Sequence, residues 1–227
     1  MSTGSPALLL EPGLVEYDRA LALQHRLVEL RRRGEVPDTL VLLEHPPVVT
    51  LGRNVDRRNL LVSDAELARR GAALRKVERG GDITFHGPGQ LVGYPVFRLE
   101  AGVVGVRRFV ELVEAALVRA LGELGVAAGL RPGFIGVWVG PGAAPRKIAS
   151  LGVAVRRGVT FHGFALNVTT DLGWFGLMNP CGLGQVAMTS VEREGGVTDA
   201  RRVRDAVVRA FEADFGLSFA PGALPAP

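Results

Sequence analysis

Two chemically versatile residues are nearly missing from this 227-residue chain: it has one cysteine, Cys181, and only two lysines, Lys76 and Lys147, among 27 basic residues. A single cysteine excludes an intramolecular disulfide and a cysteine-built zinc site. The four histidines, His25, His45, His86 and His162, lie far apart and none has a partner four residues along a helix, so no metal is expected. No apolar run approaches the ~20 residues of a membrane helix, and no basic segment followed by an apolar stretch opens the chain. A cytoplasmic protein with no membrane partner is expected. Tryptophan and tyrosine number two each, so the arginine clusters 31–33, 57–58, 107–108 and 156–157 lack the interleaved aromatics of a single-strand platform. With a net charge of only +4, nucleic acid is not the expected partner; an acidic protein surface suits those clusters better.

The scarcity of lysine also points at a residue. Arginine cannot lose its proton in a protein, whereas a buried lysine can, so a chain built on arginine keeps lysine where a neutral amine has work to do. Lys147 is singled out on that ground. Cys181 lies in Asn179-Pro180-Cys181-Gly182, a sharp turn able to present a nucleophile, although a lone cysteine also serves as a small buried hydrophobe. A third candidate is Arg79-Gly80-Gly81-Asp82-Ile83-Thr84-Phe85-His86-Gly87-Pro88-Gly89-Gln90. Its four glycines let backbone N–H groups reach a ligand, with Arg79, Thr84 and His86 as fixed polar contacts. It lacks the lysine and hydroxyl of a phosphate loop and the third glycine of a dinucleotide fingerprint, and alone it reads equally well as a glycine-rich hairpin.

Apolar spacing of three and four residues predicts helices over 15–33 and 106–124, and Ser63 with Glu66 makes a capping box for a short helix ending at Gly71. Thr198 is the expected cap of a last helix running toward Phe215. Strands are expected at 39–43 and 48–51, joined by the stiff His45-Pro46-Pro47, and at 91–97, 136–139, 147–155 and 160–168. Strands that do not alternate regularly with helices argue for a single α+β domain with a mixed sheet, over residues 1–219. The Pro/Ala-rich stretch 220–227 reads as a disordered tail.

The strings RGGDITFHGPGQLVGYP (79–95), RKIASLGVAV (146–155), TFHGFALNV (160–168) and NPCGL (179–183), in this order and spacing, resemble the lipoyl(octanoyl) transferases of lipoate biosynthesis. Phe85 stands where that family often has tyrosine. The resemblance implies the fold of biotin and lipoate protein ligases, with a mixed sheet and helices forming an acyl pocket. It implies Cys181 as acyl-thioester nucleophile and Lys147 as the group that lowers its pKa and moves its proton. It implies acyl binding by Arg79, Gly80, Gly81, Asp82, Ile83, Thr84, Phe85 and His86, with Ser150, Leu151, Gly152, Gly163, Phe164 and Ala165 lining the remainder. The donor would be octanoyl-acyl carrier protein. The acceptors would be lipoyl-domain proteins, namely 2-oxoacid dehydrogenase subunits and the glycine cleavage H protein. Thioester to amide is downhill, so no cofactor is expected. Two readings compete: an ATP-dependent lipoate or biotin protein ligase, in which Cys181 has no work, and a non-catalytic acyl-domain binder, which needs neither Cys181 nor Lys147.

Overall fold

Alternation along a single strand sets the layers of the molecule. In β2 (Asp38–Glu44), Leu40 and Leu42 pack into one core while Val41 and Leu43 pack into another on the opposite face. The computed structural model describes residues 4–99, 105–140, 145–179 and 186–223. Within them β2 is central to an eight-stranded sheet with the other strands β1 (Ser5–Leu14), β6 (Gln90–Val96), β7 (Ala128–Arg131), β8 (Phe134–Val139), β9 (Arg146–Arg156), β10 (Val159–Asn167) and β11 (Leu217–Pro221). Their order is β11-β1-β2-β6-β10-β9-β8-β7. β1 runs parallel to both its neighbours and every pair from β2 to β7 is antiparallel, so the sheet is mixed, in a single α+β domain as expected.

The face that carries Leu40 and Leu42 is covered by α3 (Val106–Glu123) and α4 (Ala200–Phe215), through Phe109, Val113, Leu117 and Leu121 of the first and Val203, Val207 and Phe211 of the second. The other face takes α1 (Tyr17–Arg33), whose Ala20, Leu27 and Val28 meet Val92, Tyr94 and Phe161. α1 stops at Gly34, in the left-handed region at φ 76°, whose N–H reaches back to Arg31 O and Leu30 O. Arg31, Arg32 and Arg33 in its last turn oppose the negative end of the helix dipole.

A second, three-stranded sheet in the order β4-β3-β5 is made by β3 (Val48–Leu51), β4 (Ala73–Lys76) and β5 (Ile83–His86). It packs with α2 (Asp64–Arg69) and the 3-10 turn Leu172–Leu177 into its own small core around Val49, Leu67, Phe85 and Phe175. The Ser63 hydroxyl accepts the Glu66 N–H at 3.2 Å, as the capping box predicts.

Two expectations are corrected. The cap of α4 is Asp199, not Thr198: Asp199 Oδ1 accepts the Arg202 N–H at 2.9 Å. Both residue types cap helices, and the sequence left a one-residue choice. Nor do residues 220 and 221 belong to a disordered tail. Ala220 and Pro221 belong to β11, opposite Leu8 and Leu9, and the Gly222 N–H donates to Leu9 O at 2.9 Å. A proline is tolerated there because β11 is an edge strand. Residues 224–227 lie outside the described residues.

Candidate active site

Strands β8, β9 and β10 and the glycine-rich segment before β5 enclose a cavity of about 1090 Å³. Lys147, residues 79–84 and 86, residues 150–152 and residues 163–165 all line it, so three of the four sequence strings meet at one place. Phe85 does not. β5 has a period of two, and with Thr84 and His86 on the cavity, Phe85 turns away into the small core. There it is 1% exposed, stacked on Trp174 at 4.8 Å and edge-on to Phe175. Its expected contact with the acyl group is therefore replaced by a packing role.

The glycine-rich segment lies directly on β9. The Gly80 N–H donates to Val153 O at 3.0 Å, and a Cβ on Gly152 would sit 2.9 Å from Gly80 O and 3.1 Å from Arg79 Cδ. Only a glycine at 152 lets the segment come so close. Arg79 is buried and donates to Thr50 O at 2.8 Å, to Thr50 Oγ1 at 2.9 Å and to Gly80 O at 3.1 Å, which ties the segment to β3.

Lys147 lies on β9 with its ammonium 5.1 Å from the centre of the Trp138 ring, a cation–π distance. The room for its side chain comes from Gly136, at φ 126°, where a Cβ would stand 2.4 Å from Lys147 Cε and 3.0 Å from Nζ. The Gly136 N–H in turn donates to Glu114 Oε1 at 2.6 Å. Burial raises the Glu114 carboxyl above the usual range, against the pull of that hydrogen bond and of the Lys147 charge. Sequence reasoning missed Glu114. It sits four residues after Val110 and three before Leu117, inside the apolar stripe of α3, and a carboxylate in such a stripe was the available signal.

Six residues further along β9, about 20 Å of strand, the cavity is walled by the neutral polar rings of Tyr17, Tyr94, His86 and His162 beside the buried Arg79, with His45 hydrogen-bonded to Tyr94 outside the lining. The His45 Nδ1–H donates to Val15 O at 2.6 Å, leaving Nε2 to accept from the Tyr94 hydroxyl at 2.7 Å; burial lowers its pKa to about 4. His86 donates from Nδ1 to Gln90 Oε1 at 2.9 Å and is lowered to about 3, by burial first and then by the charges of His45 and Arg79. His162, opposite Val153 in the sheet, is also lowered to about 3, by burial and then by Arg79. Its backbone is left-handed at φ 55°, held by its N–H donating to Gln24 Oε1 of α1 at 2.7 Å. His86, expected at the acyl site, lines the cavity, and so does His162.

Cys181 lies outside the described residues, as does the rest of 180–185. The chain on both sides is anchored at the cavity. The Asn179 N–H donates to Asn59 O at 2.7 Å, and Asn59 Nδ2 donates to Asp82 Oδ2 at 2.5 Å. On the other side the Lys147 N–H donates to Ala187 O at 2.8 Å and Lys147 O accepts the Thr189 N–H at 2.9 Å. Among the described residues no group of three or more His, Cys, Asp or Glu side chains could hold a metal ion, and no helix is long and apolar enough to cross a membrane.

Comparison with known proteins places this site in a family. Residues 16–212 match the model of the lipoyl protein ligase A/B catalytic domain. An octanoyltransferase of Acidobacterium capsulatum is 46% identical over 220 residues, covering 93% of this chain and 89% of that protein. An octanoyltransferase of Myxococcus xanthus is 48% identical over 88% of this chain, which spans 57% of that longer protein. Among solved structures, a bi-partite lipoate protein ligase of Thermoplasma acidophilum superposes with a TM-score of 0.72 over 98% of this chain and 88% of its own, at 20% identity, a likeness of fold alone. This chain belongs to the lipoyl protein ligase A/B catalytic-domain family and, within it, to the octanoyltransferases, which makes it an acyltransferase of lipoate biosynthesis.

Proposed function

We propose that the octanoyl donor is acyl carrier protein, that the acceptor is a lysine of a lipoyl domain, and that Cys181 carries the acyl group between them as a thioester. Lys147 takes the thiol proton, giving a thiolate beside an ammonium. The thiolate attacks the donor thioester carbonyl, the carrier thiolate leaves, and it departs protonated by Lys147. The amine of the acceptor lysine then attacks octanoyl-Cys181 and gives up a proton to the now neutral Lys147. The amide forms, the Cys181 thiolate leaves, and the thiolate–ammonium pair is restored. An ordinary thiol is only a few per cent ionised at neutral pH, so the amine's contribution is to raise the reactive fraction.

The observation that carries this reading is the convergence of Lys147, the glycine-rich segment and the β10 segment 163–165 on one cavity, with Asn179 and Ala187 anchored at it. The acyl chain is assigned to the space between residues 79–84 and His86 on one side and 150–152 with 163–165 on the other. Near Lys147 the cavity opens among Val106, Leu130 and Ile135, which are 45%, 54% and 59% exposed, three of the five exposed large hydrophobic residues described. Arg107 and Arg108 there share one carboxylate, Glu111, so the mouth keeps positive charge. An acidic domain presenting an acyl arm or a lysine suits that rim, in the cytoplasm where such domains are made. A lipoyl domain is also the partner named with the Thermoplasma ligase.

The test is intact-protein mass spectrometry after mixing with octanoyl-acyl carrier protein, without ATP or acceptor. One hydroxylamine-labile octanoyl group on Cys181 is expected. Acylation that requires ATP would instead identify a ligase, and carrier binding without turnover would identify a binder.

A further inference from the structure

Glu114 is a carboxylate in the apolar face of α3, 8% exposed, the one charged residue among the seven buried positions of that helix. Placing a carboxylate there is unfavourable unless something answers its charge. Among the described residues it makes no ion pair within 4 Å, and its hydrogen bond is with the Gly136 N–H. Gly136 is also the residue whose missing side chain gives Lys147 its room. One glycine thus holds the carboxylate by its N–H and the lysine stem against its Cα. We propose that Glu114 is the counter-charge of Lys147, a positioning residue that holds the lysine as an ammonium at the start of the cycle. This rests on, and deepens, the role proposed for Lys147: the resting state is thiolate and ammonium, and Lys147 is neutral only between the two acyl transfers.

The other charged groups at this end are Glu111 and Arg107 from α3 and Arg131 from β7. Arg131 lies over the Phe134 ring at 4.1 Å. Of the three carboxylates that line the cavity, Glu111 is engaged by Arg107 and Arg108 and Asp82 accepts from Asn59 Nδ2, which leaves Glu114, among the described residues, as the carboxylate of α3 that acts on the lysine from inside the cavity.

The scarcity of lysine makes a direct test possible. With [¹³C]lysine incorporated, the chain gives two Cε signals, and Lys76→Arg assigns the one from Lys147. Glu114→Gln keeps an oxygen for the Gly136 N–H and removes the charge. A negative charge raises the pKa of the groups it faces, so the Lys147 titration midpoint falls by about one pH unit in Glu114→Gln, with an unchanged melting transition. The pH profile of Cys181 acylation moves to lower pH as well, the alkaline limb furthest. Identical Lys147 midpoints in the two proteins overturn the proposal, whatever the acylation assay shows. A lower Tm with no midpoint shift does so too, since it marks a purely structural residue. A shifted midpoint in a protein that never forms octanoyl-Cys181 leaves the counter-charge standing and removes the thioester role instead.

Discussion

The two ends of the cavity solve opposite problems with similar materials. At the Lys147 end, a carboxylate and an amine are placed either side of one glycine, and the walls open to solvent through exposed apolar residues and arginines. At the far end, His45 and His86 are packed with Tyr17, His45 also meets Tyr94, and these two histidines and His162 are kept neutral by burial. At the distal end neutral rings surround the buried Arg79 guanidinium, whose charge helps to keep His86 and His162 unprotonated. Ionisable residue types alone do not mark chemistry; their solvation does.

The largest expected effect comes from taking proton transfer away from the charged end. Lys147→Arg stays cationic but cannot become neutral, and acylation is expected to slow ~10²-fold or more with the fold retained. A near-wild-type rate for the arginine variant across pH would reduce Lys147 to an electrostatic role. Gly136→Ala is next: its methyl would enter the space of Lys147 Cε, and φ 126° is strained for alanine by ~1–3 kcal/mol. Turnover and Tm are both expected to drop, and an alanine variant with normal kinetics would show that the lysine has room to spare.

The neutral end predicts a different curve. The three histidines have folded-state pKa values of about 4, about 3 and about 3, below the 6.5 they regain on unfolding. The unfolded chain therefore binds protons that the folded one refuses. Their contribution to stability is complete above pH 6.5 and is lost as pH falls through that value toward 4 and then 3. Carboxylates such as Asp56 and Glu66, held at about 2 by arginines, add to the loss only below 4.5. A Tm that stayed flat between pH 6.5 and 5 would mean that these rings are charged in the folded protein. The smallest effect belongs to the rim, where association with an acidic carrier is expected to slow severalfold as salt shortens the screening length to ~8 Å and beyond, mainly through the on-rate. A salt-independent association rate would leave docking to the apolar residues alone.

Strong periodicity was legible in the sequence and short pairing was not. α1, α3 and the long strands follow from their apolar spacing, and His45-Pro46-Pro47 does separate β2 from β3. β4 and β7 are four residues each, β5 lies inside what read as a loop, and β1 and β11 are broken by proline or glycine. Such strands exist because a neighbour offers hydrogen bonds, information that local patterning does not hold. The site divides the same way. Lys147 stood out by rarity and the cavity segments by their resemblance, and all but Phe85 line the cavity. Glu114 and His162 stayed hidden, because a helix stripe or a strand reports burial and only the folded chain shows what a buried group faces.

The pairing of β11 with β1 has a further consequence, for solubility. β1 carries Ala7-Leu8-Leu9-Leu10, an apolar run whose free edge would be a template for pairing with another chain. β11 covers that edge, and where the sheet then ends, Pro221 offers no N–H to an incoming strand. The final described strand works as a guard against self-association, and a chain cut before Leu217 is expected to sediment as larger species than the full chain.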